Sequence, residues 1–268
     1  MDNTHIIKKI DITRIKGRQV ILTEDSIIDE DILEIHINGE KTFQMVFSMT
    51  HTEALCAGFL FTQGIVQKKT DILDLGFSEK SRQCHVTLND SALKRLEEFK
   101  ANSQVKGSSG GVLLQHPEGV RSEEPSHGFS ITYNEVLSLI RMHWDHSGIF
   151  LETGAVHSAG ICSKDRILYY YEDIGRHNAL DKMAGDILLK KIDTTDKVAT
   201  VSCRMSLEII GKIIKTGIPV VISNAAPTLS AVRLADHAGL TVVGFARDNR
   251  FNIYTHEKRI VAETPGQD

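Results

Sequence analysis

Residues 172–182 read EDIGRHNALDK, and they follow the apolar run ILYYY at 167–171. Six ionisable side chains and an Asn surround a single Gly in this string. The aromatic and branched run favours a strand, Gly175 suits a backbone turn, and Ala179, Leu180, Met183, Ala184, Ile187 and Leu188 recur at helical spacing. On that helix His177 and Asp181 fall one turn apart, as do Asn178 and Lys182, so the polar groups gather on its first turns. Such a density of charge is expected outside the core, at a strand end where donors, acceptors and a helix N-terminus meet. The alternative is a capping and salt-bridge cluster, although a cap needs one or two such residues rather than seven.

The same strand, turn and helix recur downstream. Periodicity predicts a helix over 177–190, a strand over 197–201, a helix over 206–215, a strand over 218–222, a helix over 227–237 with Pro227 at its first position, and a strand over 240–245. This alternation predicts largely parallel pairing with right-handed crossovers. The run AGLTVVGFA at 238–246 is nearly all apolar, as a strand buried on both faces should be.

The first hundred residues read differently, as strands with few helices. Strands are expected at 18–22, 32–37 and 41–48, with Asn38-Gly39 as a tight hairpin turn, then at 72–77 and 83–88. Thr50 or Thr52 is placed to cap a helix carrying Ala54, Leu55, Cys56, Ala57, Gly58, Phe59 and Leu60, and a short charged helix is expected over 91–100. Residues 102–112, NSQVKGSSGGV, hold three Gly and three Ser and fit a linker or a mobile loop equally. A polar stretch follows over 115–129, then a helix over 133–143. The expected organisation is a smaller strand-rich α+β N-terminal part, residues 1–112, ending in the Gly/Ser loop, and an α/β domain over 113–268.

At 268 residues, with 41% hydrophobic and 25% charged residues, the composition is that of a globular protein with real cores. A net charge of -4 and a pI near 6.3 give no global basic field, which argues against nucleic acid as a partner but allows a local pocket for a small anion. The N-terminus MDNTHIIKKIDITRI is too polar for a signal peptide and no apolar run reaches the length of a spanning helix, so a cytoplasmic protein without membrane attachment is expected. Cys56, Cys84, Cys162 and Cys203 are scattered without a CxxC pair, and the twelve His fall into no ligand spacing, so neither a metal site nor a disulfide framework is expected.

In sheets of this kind ligands bind beyond the carboxyl ends of the strands. Three successive strand-to-helix junctions there carry small polar residues: Glu172 to Asn178, SCRMS at 202–206, and SNAAPT at 223–228. Asp173, His177 and Asn178 come from the first. Ser202, Ser206, Ser223 and Thr228 offer hydroxyls, Ala225 a free backbone NH, and Arg176 and Arg204 a clamp for the same anion. Ordinary N-capping would explain each junction separately; three together favour a nucleotide-sized ligand. His157, among the small residues of TGAVHSAG, fits either a hydrogen-bonded structural role or a site role. Arg247, Arg250 and Asn252 lie just past the last predicted strand, on the same edge or in a solvated loop.

Taken together, NGE and AGFLFTQGIV in the first half, then TGAVHSAG, EDIGRHNALDK, SCRMSLEIIGKIIKTGIPV, NAAPTLSAVRLA and GLTVVGFARDNRFNIYT, resemble the FdhD/NarQ family of formate dehydrogenase accessory sulfurtransferases. The resemblance implies a three-layer cytidine-deaminase-like C-terminal domain and a homodimer. It also implies a function: passing persulfide sulfur from a cysteine desulfurase to the bis-molybdopterin guanine dinucleotide cofactor required by the formate dehydrogenase apoenzyme, with GDP as a partial mimic of the cofactor. The family usually carries one or two cysteines in its Gly-rich loop. Here that loop is KGSSGG at 106–111, and Ser108 or Ser109 stands at the expected cysteine position. A persulfide relay needs a thiolate, so either the residue at that position was changed or this member lacks the usual sulfur carrier; Cys203, where relatives commonly have Gly, is the candidate to replace the loop thiol, and the alternative to transfer is a non-catalytic chaperone that holds the cofactor. Zinc deamination is not expected, because His157-Ser158-Ala159 lacks the required Glu and no PCxxC is present.

Overall fold

The computed structural model describes residues 6–102 and 128–263. β1 (Ile7–Lys16) and β2 (Gln19–Ile28) form a two-stranded antiparallel hairpin, of which the sequence patterning had located only the tip of the second strand. β3 (Asp31–Ile37), β4 (Glu40–Phe47), β5 (Ile72–Ser78) and β6 (Gln83–Leu88) form a four-stranded sheet in the order β4-β3-β6-β5. Asn38 and Gly39 make the β3–β4 turn with positive φ at both positions, as a tight hairpin requires. α1 (Thr52–Thr62) and α2 (Asp90–Asn102) cover the sheet and bury Leu55, Leu60, Ala92 and Leu96 against Leu33, Ile35 and Val86. Neither Thr50 nor Thr52 caps α1. The N-cap is His51 in the left-handed conformation, and Thr50 instead turns its hydroxyl to Lys182.

The second half comprises β7 (Ile131–Thr132), α3 (Tyr133–Asp145), α4 (Gly148–Thr153), β8 (His157–Cys162), β9 (Ile167–Asp173), α5 (Arg176–Lys190), β10 (Val198–Val201), α6 (Leu207–Thr216), β11 (Val220–Ser223), α7 (Leu229–His237), β12 (Thr241–Arg247), β13 (Arg250–Thr255) and β14 (Ile260–Val261). Its six-stranded sheet runs β13-β12-β11-β10-β8-β9. Only β10, β11 and β12 pair in parallel. β8 is antiparallel to both neighbours and β13 is antiparallel to β12, which corrects the expectation of a largely parallel sheet. The strand–helix alternation held where helices intervene, whereas β8–β9 and β12–β13 are joined by short turns that permit only antiparallel return. Helices cover both faces. Ala199, Val201, Val221 and Val242 face a core with α5, α6 and α7, while Val198, Val220, Ile222 and Val243 face α3. Two-sided burial explains why these strands are apolar at every position.

The motif at 172–182 does not lie outside the core, contrary to the sequence expectation. Asp173, Asp181 and Lys182 are 0%, 2% and 0% exposed. They lie at the seam where α1 crosses α5. The helices touch backbone to backbone: a Cβ on Gly58 would stand 1.7 Å from the Asp181 carbonyl oxygen, and one on Gly185 would stand 1.8 Å from that of Ala54. From the middle of α5, Lys182 reaches back so that its Nζ lies 2.7 Å from the Asp173 carboxylate and donates to the carbonyls of Ser48 and Glu172. The preceding residue, Asp181, accepts from Thr62 of α1 at 2.7 Å and pairs with Lys212 of α6. Charges at this depth persist because each is paired and hydrogen-bonded. Past the crossing, Leu188 of α5 joins the core of the four-stranded sheet. The expected boundary at residue 112 lies outside the described residues; across the seam, the two units share α5.

Candidate functional site

β9, β10, β11 and β12 run in one direction, so their carboxyl ends share an edge with the first residue of β8 and the β12–β13 turn. The predicted residues from all three junctions are thereby brought to one side of the sheet. His157 pairs with Asp173 across β8–β9. With strands spaced about 4.8 Å apart, the edge from β8 to β12 spans about 14 Å, the scale of a nucleotide diphosphate.

Much of the polarity at this edge is consumed internally. Asp173 accepts from Gly175 N and Asn178 Nδ2, both at 2.9 Å, and from Ser48 N at 3.1 Å, besides pairing with Lys182. Asn178 also donates to the Val46 carbonyl at 2.8 Å. Both residues therefore fasten α5 and the end of β4 to the strand end; Asp173, fully buried, is spent on these bonds, whereas half-buried Asn178 keeps its Oδ1 as an acceptor. Ser223 is buried, donates to the Cys203 carbonyl at 2.9 Å and accepts from Ala225 N at 3.1 Å, so the Ala225 NH is not free either. The Ala225 carbonyl accepts from Phe245 N. Thr228 caps α7 by accepting from Ala231 N, and the helix starts at Leu229; Pro227 bridges to Met205 instead of opening the helix. Here the capping alternative was correct, and the SCRMS and SNAAPT junctions lock together through Met205, which bonds Ala226 O and Thr228 N.

The groups that remain define the candidate site. Ser206, the N-cap of α6, makes no capping bond, and its hydroxyl oxygen and the Asn224 side-chain oxygen are shielded without partners among the described residues. A shielded polar group left unpaired costs about 1–3 kcal/mol, an imbalance that a ligand or water reaching it would relieve. Asn224 was missed in the sequence, although it stands in the SNAAPT string, because nothing in a pattern of small polar residues marks which one lacks an internal partner. Arg204 and Arg247 are exposed and Arg176 is half-buried, and Asn252 is exposed with a contact to Tyr254. No carboxylate of the described residues pairs with Arg176 or Arg204.

Burial first, and the Arg176 guanidinium second, shape the electrostatics of the edge. Burial, reinforced by the Arg176 guanidinium, lowers the His157 pKa, so this imidazole is neutral. Ser202 Oγ lies 3.5 Å from His157 Nδ1 and accepts from Ser158 N at 2.8 Å. His177 is pushed down to about 4 by burial and by Lys212, Arg176 and His157, and sits 3.3 Å from Glu208. Behind the edge, His143 bridges Thr200 and Ser158 at 2.8 Å each, and burial drives it down to about 3.

Cys203 does not supply a ready thiolate. It is 3% exposed and burial raises it to about 11, despite the opposing pull of Arg176. Cys56, Cys84 and Cys162 are buried too, and burial raises Cys162 to about 12. Ser108 and Ser109 lie outside the described residues. Among the described residues, no group of three or more His, Cys, Asp or Glu is placed to hold a metal ion, and no helix is long and apolar enough to cross a membrane.

Among the described residues the edge thus gathers guanidinium groups, neutral imidazoles and unpartnered polar oxygens, and all four cysteines are buried away from it or beside it. Residues 28–261 match the model of the FdhD/NarQ family. The chain is 34% identical over 262 residues to the sulfur carrier protein FdhD of Staphylococcus haemolyticus, covering 97% of this chain and 99% of the relative. It is 32% identical over 253 residues to the protein of that name from Bacillus subtilis, covering 93% and 96%. Its fold is similar to the crystal structure of a protein assigned as a formate dehydrogenase accessory protein from Desulfotalea psychrophila, with a TM-score of 0.77 and 22% identity over 96% of this chain and all of that one. This chain belongs to the FdhD/NarQ family.

Proposed function

We propose that the chain serves formate dehydrogenase maturation as a member of the sulfur carrier class, holding the bis-molybdopterin guanine dinucleotide cofactor as cargo at the six-strand edge while sulfur from a cysteine desulfurase is passed to it. One observation carries the cargo assignment: among the described residues, Ser206 Oγ and Asn224 Oδ1 have no partner on the edge where no carboxylate pairs with Arg176 or Arg204. The donor set fits such a cargo. Guanidinium groups and a hydroxyl suit phosphate oxygens, and the Asn224 carbonyl suits an N–H or O–H of a sugar or base. His157, Ser202, Arg247 and Asn252 extend the contacts along the edge. The six-stranded sheet with α3 on one face and α5–α7 on the other is read as the cytidine-deaminase-like layering of the family, used here for binding rather than deamination.

A second reading is favoured by the thiols. All four cysteines are buried, and Ser108 or Ser109 occupies the loop position that the resemblance gives to cysteine. On this reading the chain holds and delivers the cofactor to the apoenzyme without covalent sulfur. A homodimer is proposed for either case: the β1–β2 hairpin exposes Ile10, Ile15, Val20 and Leu22, and a two-stranded ribbon is stable only when another surface covers it. Cytoplasmic residence is part of the same proposal.

Calorimetry with GDP tests the cargo site, and micromolar or tighter binding is expected. Incubation with a desulfurase and cysteine, followed by mass measurement, separates the two readings. Persulfide on the native chain supports transfer; persulfide only after Ser108→Cys or Ser109→Cys supports the holding role.

A further inference from the structure

A cavity of about 780 Å³ opens where the start of α1, the end of β5 and the last turns of α5 meet, and none of its lining residues belongs to the strand-end edge. Met49, Phe77 and Leu189 supply its apolar wall, each partly exposed. Phe77 stands edge-on to Phe47 of the core, 6.4 Å away, which fixes that wall in place.

The charge of this cavity is opposite to that of the edge. Glu53 and Glu79 lie exposed on its rim, and among the described residues no lysine, arginine or histidine pairs with either carboxylate. Deeper in, the Asp186 carboxylate accepts from the Tyr171 hydroxyl at 2.7 Å and from Lys190 at 2.5 Å, so the one lysine of the lining is already neutralised. Arg82, which donates to the Glu79 carbonyl, is paired with Asp31. The lining therefore keeps the two negative charges of Glu53 and Glu79. His51 adds an unused ring nitrogen. Burial, reinforced by Lys182, lowers its pKa and leaves the imidazole neutral, and its Nδ1 is shielded without a hydrogen-bond partner among the described residues. The ring itself is held edge-on to Tyr171, 5.2 Å away at 74°.

Such a rim repels anions, and among the described residues no three ligating groups converge on a metal ion. A cation on an apolar stem uses every feature, because the stem lies on Met49, Phe77 and Leu189 while its head meets the rim carboxylates. The neighbouring strand favours a polypeptide over a small cation. β5 is the end strand of its sheet and among the described residues pairs with β6 alone, so its outer side is open to an added strand. The register shift at Leu73 confines such pairing to 74–78, which leads directly to Phe77 and Glu79 on the cavity wall.

We propose that this cavity docks an extended segment of a partner polypeptide, which lies along β5 and places a lysine or arginine, flanked by apolar side chains, between Glu53 and Glu79. The assignment is independent of the cargo edge, so the two stand or fall separately.

Methyl-labelled methionine in the full-length chain gives six signals, and that of Met49, identified with Met49→Leu, reports on the cavity. The protein is titrated with acetyl-Ser-Leu-Arg-Val-Ser-amide, with the same peptide carrying Gln in place of Arg, and with spermidine. The Arg peptide is expected to move the Met49 signal at roughly sub-millimolar concentration, and the Gln peptide to bind at least about tenfold more weakly. The double variant Glu53→Gln with Glu79→Gln, both on exposed side chains, should keep the wild-type thermal midpoint and weaken the Arg peptide about tenfold. Raising the salt from about 50 to about 300 mM should weaken that peptide in the wild type far more than in the double variant. Equal binding of the Gln peptide, or wild-type affinity of the double variant for the Arg peptide, overturns recognition by charge. Spermidine that moves Met49 where the Arg peptide does not overturns the polypeptide occupant. A Met49 signal undisturbed by every probe overturns the site.

Discussion

Two regions of the molecule draw on the same eleven-residue motif and use charge in opposite ways. At the α1–α5 seam, Asp173, Asp181 and Lys182 are out of solvent and every one is paired, so their charge holds two units together. At the sheet edge, Arg176, six residues before Lys182 on the same helix, faces no carboxylate of the described residues, and Ser206 and Asn224 stand without partners nearby. The density of polar residues therefore says little about ligands by itself. What separates binding from bracing is whether the donors and acceptors are already satisfied within the chain.

The sharpest way to break this contrast is at Lys182. Lys182→Met leaves the Asp173 carboxylate buried without its cation and is expected to cost about 3–5 kcal/mol in denaturant unfolding. Combining it with Asp173→Asn should recover part of the loss. A Lys182→Met protein as stable as the wild type would remove the bracing role. Next comes the helix crossing. Gly58→Ala forces α1 away from α5 and should cost about 1–3 kcal/mol or more, whereas Gly76→Ala, with open space around its Cβ, should be close to neutral. Equal thermal midpoints for the two variants would contradict the backbone contact.

A pH-dependent comparison probes the network behind the edge. His143 stays neutral in the folded chain down to about 3, while the unfolded chain takes up a proton near 6.5. Falling pH thus favours the unfolded state through this residue. The stability of the wild type relative to His143→Gln is expected to decline by about 1.4 kcal/mol per pH unit between pH 6 and 4, measured by urea titrations at each pH. A constant difference would show that His143 does not titrate as its surroundings dictate. The smallest effect on stability belongs to the edge itself. Arg204→Ala should change stability by less than about 0.5 kcal/mol but weaken GDP about tenfold, since a charge-assisted bond contributes roughly 1.5–3 kcal/mol. Unchanged GDP affinity in calorimetry would remove Arg204 from the clamp.

The sequence made local elements legible where pattern and burial agree. The Asn38-Gly39 turn, the helix after Gly175 and the apolar strand ending β12 were placed nearly to the residue, because each is determined by short-range chemistry. Pairing direction was less accessible, since periodicity carries the type of an element and not its neighbour, and β8 returned antiparallel on both sides. The β1 strand was missed because Lys8, Lys9, Arg14 and Lys16 interrupt the alternation of its Ile residues, as expected of a ribbon that is exposed over most of its length. The alternation of strands and helices was enough to bring the three junctions to one edge, but not to say which of their polar groups are satisfied within the chain. Ser223, Asp173 and Asn178 reach partners remote in sequence, which no local pattern could reveal, whereas the Thr228 cap is local and was open to the capping reading. The cavity beside α1 draws Met49, Phe77 and Asp186 from separate parts of the chain and came together only through tertiary packing.

The glycine-lined seam also carries a temporal consequence. Its contacts join groups separated by 119 to 134 residues, among them Thr62 with Asp181 and Ser48 with Lys182. During synthesis, α1 leaves the ribosome with its crossing face bare, and Leu188, which joins the first unit's core, is made much later. Contacts of such separation form slowly because the chain must first close a long loop. The first unit to be synthesised is thus the last to be finished.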